Sequence, residues 1–339
     1  MEYPPEDIIP ESLPTYNKDH HTKKGFINNP GEPIHLPTNS IFTKEWLKFI
    51  TAKRDTTTSL EVHNPIPYFR KRDGIRVYWL GHACCLIQFH DICILTDPVF
   101  SEAASPLPFF MKRTTPVPCQ IEDLPQISVV VISHDHYDHL DPKSLQRIKN
   151  HSPNVLFFAP LLLADMLNSW GFRSVSFDWR QHVVYKGVDF TCFPARHACC
   201  RYGVDFRERL WCSWNLHFDG VNVYYTGDTA IGPHFSEVKE SVKGKIDLVL
   251  LPIGPQEPAC WMRVVHLDPV DAYDMAKVLE AAQVIPIHYG TFPLGQEPAV
   301  PDLVLLNQVW KEDNLHILPV GEYMEYNGKE FVEPEENEK

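Results

Sequence analysis

The chain has 339 residues, with 31 Lys plus Arg against 44 Asp plus Glu, a formal net charge of -13. That length is ample for a buried core. The acidic balance disfavours a general nucleic-acid role, which needs a basic footprint, and it weakens any purely electrostatic attraction to anionic lipid.

Residues 1–40 are rich in proline, charge and asparagine and lack the apolar stretch of a signal peptide. They read as a flexible N-terminal segment or one draped over the domain, with the pair His20-His21 in solvent. No segment offers the run of about eighteen apolar residues that a spanning helix needs. Phe42, Trp46, Phe49 and Ile50 recur at helical spacing and predict a short amphipathic helix. Residues 76–80, 84–89 and 92–96 read as strands, the last two joined by a tight turn at His90-Asp91. In Gly81-His82-Ala83, His82 reads as structural. Asp97-Pro98 closes this unit. The aspartate is either a turn former or a carboxylate that orients a nearby imidazole.

Residues 104–118 are unusual. Pro106-Leu107-Pro108-Phe109-Phe110-Met111 is an apolar knot followed at once by Lys112 and Arg113, and its prolines exclude a regular helix. Two readings stand. The loop folds over the core, or Leu107, Phe109 and Phe110 dip into a lipid interface while the cations reach headgroups.

The short β-branched run at 127–132 predicts a buried strand. It leads into Ser133-His134-Asp135-His136-Tyr137-Asp138-His139-Leu140-Asp141. Asp141-Pro142 supplies a helix N-cap and a proline suited to the first helical position. In an extended segment, residues two apart point the same way, so His134, His136 and Asp138 converge, and the turn into the helix brings His139 alongside. Three imidazoles and a carboxylate packed this closely form a ligand set of the kind zinc prefers. One loop cannot close two metal shells, so further ligands must come from elsewhere.

Residues 160–170 read as a helix ended by Gly171, 183–253 as mostly strands, and 247–252 as a buried strand. Asp268-Pro269 caps a helix reaching about Ala282. His197, Asp228 and His288 each follow a short strand-like run and are the candidates for the remaining ligands. The domain prediction is one catalytic domain over 41–330 and an acidic tail over 331–339. The nine cysteines include the pairs Cys84-Cys85 and Cys199-Cys200 but no Cys-x-x-Cys. Their odd count implies no disulfide framework and a reducing setting. Most read as small buried hydrophobes, with Cys199 and Cys200 also candidate metal ligands through their nearness to His197.

The order His-x-His-x-Asp-His, then a lone His, a lone Asp and a lone His, resembles the metallo-β-lactamase superfamily. The resemblance implies an α/β protein, an αββα sandwich of two mixed sheets face to face with helices outside. It implies two Zn2+ ions: His134, His136 and His197 on one, Asp138, His139 and His288 on the other, Asp228 bridging. It places Asp97 behind a ligand histidine.

Further blocks are similar to the N-acyl-phosphatidylethanolamine-hydrolysing phospholipase D family over roughly 75–325. They are Leu95-Thr96-Asp97-Pro98-Val99-Phe100, Leu210-Trp211-Cys212-Ser213-Trp214, Leu251-Pro252-Ile253-Gly254, Glu257-Pro258, His266-Leu267-Asp268-Pro269 and Ile287-His288-Tyr289-Gly290-Thr291-Phe292. What this implies is hydrolysis of N-acyl-phosphatidylethanolamine to N-acylethanolamine and phosphatidic acid, with a hydroxide held between the zinc ions as nucleophile. It implies a peripheral homodimer on the cytosolic side of intracellular membranes, acting on a membrane phospholipid. Asp138 and His266 become catalytic candidates, the latter against the simpler reading of a helix-capping histidine. Trp261 and Met262 become substrate or membrane contacts. Ala198, Ala259, Cys260 and Val265 depart from the family pattern and put acyl and headgroup preference in doubt. The alternatives are a hydrolase of a soluble phosphorylated lactone or phosphodiester, and a metal-free scaffold.

Overall fold

The computed structural model describes residues 8–29, 51–70, 73–297 and 301–334. Its central strands are apolar on both faces. Trp79, Ile87, Val129, Val131 and Phe158 enter a core shared with a second sheet. Their neighbours Tyr78, Leu86, Val130 and Phe157 face the other way, onto Leu145 and Ile148 of the helix Pro142–His151 and Leu163 and Leu167 of the helix Leu163–Ser169. A strand's period of two sends alternate side chains to opposite faces, so a doubly covered sheet reads as unbroken apolar runs. Each large side chain buried this way contributes roughly 1.5–3 kcal/mol.

The first sheet has eight strands in the order Phe331–Val332, Tyr323–Tyr326, Ile75–Trp79, Cys85–Phe89, Ile92–Thr96, Val129–Val131, Leu156–Pro160 and Ser174–Phe177. Pairing is antiparallel up to Ile92–Thr96 and parallel beyond it. The second sheet has seven: Glu11–Ser12, Gln181–Tyr185, Val188–Phe193, Ser213–Phe218, Val221–Tyr225, Leu248–Pro252 and Val284–Ile287. Its last three strands are parallel. Two mixed sheets share one core and carry helices outside, the expected α/β sandwich.

Several expectations are corrected. The strand Leu156–Pro160 takes in Pro160, and the helix starts only after Leu162, which adopts a left-handed φ of 62°. The helix Pro269–Val278 ends before Ala282 because the chain reverses at Glu280, with φ 50°. The helix His234–Ser241 interrupts the predicted strands. The strand Phe331–Val332 pairs with Tyr323–Tyr326, so the tail begins later than 331. The helix predicted at Phe42 to Ile50 lies outside the described residues. His20 and His21 are not solvated: His20 is buried, and each places its Nε2 on one oxygen of the buried Asp178, at 2.7 and 2.8 Å. Among the described residues, no helix is long and apolar enough to cross a membrane.

Candidate metal centre

Parallel strands deliver their following loops to one edge of a sheet, where α/β proteins build sites. Asp97 follows Ile92–Thr96, and the histidine-rich loop follows Val129–Val131. Across the sandwich, Asp228 follows Val221–Tyr225 and His288 follows Val284–Ile287. The two sheets thus present their donors to a common cleft. Asp141 caps the helix Pro142–His151, accepting from the Lys143 N–H at 3.2 Å. Asp135 points away from the cleft, in a buried ion pair with Arg209 at 2.5 Å. Arg201 donates to the carbonyls of Asp135 and Leu140 at 2.8 and 3.1 Å, pinning the loop at both ends.

Two four-residue donor groups result: His134, His136, His197 and Asp228, and His82, Asp138, His139 and His288; a smaller set, Asp228, His266 and His288, overlaps both. In the first, the His136 Nδ1 lies 3.0 Å from the His134 Nε2 and 3.2 Å from the His197 Nε2. In the second, the His139 and His288 Nε2 atoms are 3.0 Å apart, and the Asp138 Oδ2 is 3.4 and 3.3 Å from them. Asp228 stands between: its Oδ2 is 3.2, 3.8 and 4.0 Å from the nitrogens of His139, His134 and His197, and its Oδ1 is 3.1 Å from that of His288. In a tetrahedral zinc site with bonds of about 2.0–2.1 Å, ligand atoms sit about 3.3 Å apart. Buried imidazoles turn ring nitrogens toward one another at such spacing when a cation draws on both lone pairs. The residues fit a pair of cations.

Three of these imidazoles are oriented through the far nitrogen, which fixes the tautomer. The His139 Nδ1 meets the Asp97 Oδ2 at 2.7 Å, the His288 Nδ1 meets the Gly254 carbonyl at 2.9 Å, and the His197 Nδ1 meets the Val265 carbonyl at 3.0 Å. Asp97 also accepts from the Ser133 N–H at 2.7 Å and the Tyr225 hydroxyl at 2.5 Å. The orienting role, not a turn alone, is what its surroundings display.

Electrostatics follow burial and neighbours. Burial, then the adjacent imidazoles, hold His134 well below the usual histidine range. Burial likewise lowers His197, so both stay neutral with a lone pair free. Burial opposes charge on His139 and His288 too, but Asp228 and Asp138 override it, lifting His139 well above the ordinary value and His288 to about 9. Those carboxylates are themselves held well below their usual range despite burial, chiefly by His139. A cation binding here displaces these protons, since ligands bind deprotonated.

His82, which its sequence setting marks as structural, also belongs to the centre. Its main chain does serve the fold, accepting from the Trp79 indole at 2.9 Å and the His288 N–H at 3.0 Å. Its ring enters the centre, with Nε2 3.0 Å from the Asp138 Oδ2 and its centroid 4.1 Å from that of His288. Its only trace in the sequence is a histidine after Gly81 in a tight turn, where it takes φ 54°. His266 also faces the centre, its Nδ1 3.6 Å from the Asp228 Oδ2 and without a hydrogen bond. It does not cap the following helix; Asp268 does, accepting from Val270 and Asp271 at 2.9 and 2.8 Å. Trp261 and Met262, in the short helix Ala259–Met262, are half-buried beside it, and the His266 N–H donates to the Met262 carbonyl at 2.7 Å. Cys199 is buried with its thiol on the Leu210 carbonyl, and neither it nor Cys200 joins a donor group among the described residues.

The apolar knot is an excursion closed at its neck, where the Ala104 N–H donates to the Met111 carbonyl at 3.0 Å and the Arg113 N–H to the Glu102 carbonyl at 2.8 Å. Leu107, Phe109 and Phe110 are 50, 73 and 37% exposed, so the knot does not cover the core. Arg113 does not reach outward as expected. Its guanidinium turns in, donating to the Val99 and Ser101 carbonyls and lying 4.7 Å from the Phe292 ring.

The family described as beta-lactamase superfamily domain matches residues 93–289. The chain is 34% identical over 256 residues to N-acyl-phosphatidylethanolamine-hydrolyzing phospholipase D 1 of Caenorhabditis elegans, covering 72% of each. It is 31% identical over 226 residues to the mitochondrial N-acyl-phosphatidylethanolamine-hydrolyzing phospholipase D of Saccharomyces cerevisiae, covering 65% of this chain and 48% of that one. Among solved structures, the metallo hydrolase Igni18 of Ignicoccus hospitalis superposes with a TM-score of 0.58 at 21% identity, covering 75% of this chain and 99% of its own. The chain belongs to the metallo-β-lactamase superfamily. It is a metal-dependent hydrolase of that fold, with relatives named as N-acyl-phosphatidylethanolamine-hydrolysing phospholipases D.

Proposed function

We propose that the protein is a dinuclear zinc phosphodiesterase of phospholipase D type, which hydrolyses N-acyl-phosphatidylethanolamine to N-acylethanolamine and phosphatidic acid. The observation that carries the reading is Asp228, whose carboxylate faces both donor groups at once. Likeness to the nematode enzyme supplies the substrate class. Cations held by these two donor groups would supply a water of lowered pKa and a Lewis acid for a phosphoryl oxygen. The protein's part is placement. Asp97, Gly254 and Val265 orient the ligand imidazoles. His266, pushed down to about 4 by burial, is neutral near pH 7 and suited to donate a ring N–H to a phosphoryl oxygen. The experiment that tests the reading is conversion of the lipid by purified, zinc-loaded enzyme, with both products identified.

In this reading the protein is peripheral on the cytosolic side of intracellular membranes and acts as a homodimer on a membrane phospholipid. The exposed knot supports the membrane part, because apolar side chains at a loop tip gain by leaving water. Changing Leu107, Phe109 and Phe110 to Ser is expected to weaken binding to phospholipid vesicles about tenfold or more at the cost of burying such side chains. Turnover of a short-chain soluble analogue should persist. Unchanged vesicle binding with a lower thermal midpoint would return the loop to the core.

A further inference from the structure

Residues 8–29 form a strap against the second sheet. Glu11–Ser12 adds an edge strand beside Gln181–Tyr185. His21–Thr22 and Gly25–Phe26 make a hairpin, and the His20 ring stacks on Trp179 at 4.2 Å. With His20 and His21 on the two oxygens of Asp178, the strap is latched by side chains as well as main chain. At its far end the Phe26 N–H donates to the Arg207 carbonyl at 2.9 Å. Gly25 sits so close that a Cβ there would meet that oxygen at 2.0 Å, and its φ is +136°. Only glycine allows this seat.

The strap brings Asn28 to the metal centre. Its buried side chain donates from Nδ2 to the His197 carbonyl at 3.0 Å, and its Oδ1 accepts the His197 N–H at 3.1 Å. One amide thus pairs with both main-chain polar groups of one residue, as a strand neighbour does. The same Oδ1 accepts from the Trp211 indole at 3.1 Å, and Trp211 accepts on its carbonyl from the Trp179 indole. The latch at Asp178 and the grip on His197 are therefore linked through packed, hydrogen-bonded groups. With the backbone of His197 held by Asn28 and its Nδ1 by Val265, its Nε2 is left facing His136.

We propose that Asn28 is a positioning residue for His197, so that docking of the N-terminal strap and cation binding at His134, His136 and His197 are coupled. The inference rests on the dinuclear reading above. Coupling is reciprocal: what the strap does for the cation, the cation does for the strap. The other half, Asp138, His139 and His288, is oriented by Asp97 and Gly254 and is independent of the strap.

The test titrates metal-free full-length protein with cobalt(II), followed by visible absorption and calorimetry. Wild type should take two ions. In Asn28→Ala one step should weaken about 10- to 100-fold, the range for groups that orient a ligand, with the other step unchanged. The double variant His20→Ala, His21→Ala should weaken the same step less. Two wild-type steps in a folded Asn28→Ala protein, or equal weakening of both, would overturn the proposal. Failure of wild type to take a second ion would overturn the dinuclear reading instead, and the strap would then be judged on the one ion that binds. If Asn28→Ala does not fold, limited proteolysis of wild type decides. Cobalt should slow cleavage within residues 8–29 severalfold, and an unchanged rate would overturn the coupling.

Discussion

Replacing His136 or Asp138 by Ala is expected to reduce hydrolysis more than about 100-fold, because loss of a direct ligand exceeds the 10- to 100-fold typical of groups that merely orient one. Bound metal should fall below two per chain. Each residue contributes to a separate donor group, and among the described residues the imidazoles left over at the centre are His82, which already faces Asp138, and His266, which faces Asp228. The measurement is elemental analysis alongside turnover for each folded variant. Activity near wild type with two metals retained would remove these residues from the centre.

Asp228→Asn should disturb both metals, and His197→Ala mainly one. The asymmetry comes from geometry. Asp228 presents oxygens to His139 and His288 on one side and to His134 and His197 on the other, while His197 approaches only His136 and His134 among the ligand imidazoles. The substitution also removes the negative charge that would stand between two bound cations, so it should cost more than a lost contact. Metal content near zero for Asp228→Asn and near one for His197→Ala is the expected outcome. Equal retention in both would mean Asp228 is not shared.

The centre was legible where chemistry demands residue types at short spacing. Three histidines and an aspartate within six positions after a strand have few other uses, and the three later donors each close a strand of matching character. His82 was not legible, because it reaches Asp138 across 56 positions of chain through a turn whose sequence states nothing about the loop. Asn28 was less so: an amide gripping the main chain of a residue 169 positions away leaves no pattern at either end. The sheets were readable from apolar runs, but their helices were not always. The helix His234–Ser241 lies in a stretch of short strands, and its two apolar residues Phe235 and Val238, three apart, are too few to establish a helical period. The exposed state of the knot depends on hydrogen bonds between residues 104 and 111 and between 113 and 102, which proline spacing alone does not reveal.

The proposed reaction is attack of water at phosphorus in an N-acyl-phosphatidylethanolamine. Hydrolysis in water labelled with oxygen-18, by zinc-loaded enzyme on vesicles of that lipid, tests it most directly. The label is expected in phosphatidic acid and none in N-acylethanolamine. Label in a released fatty acid would contradict it, as would no turnover of the lipid by an enzyme that rapidly cleaves a soluble phosphorylated lactone.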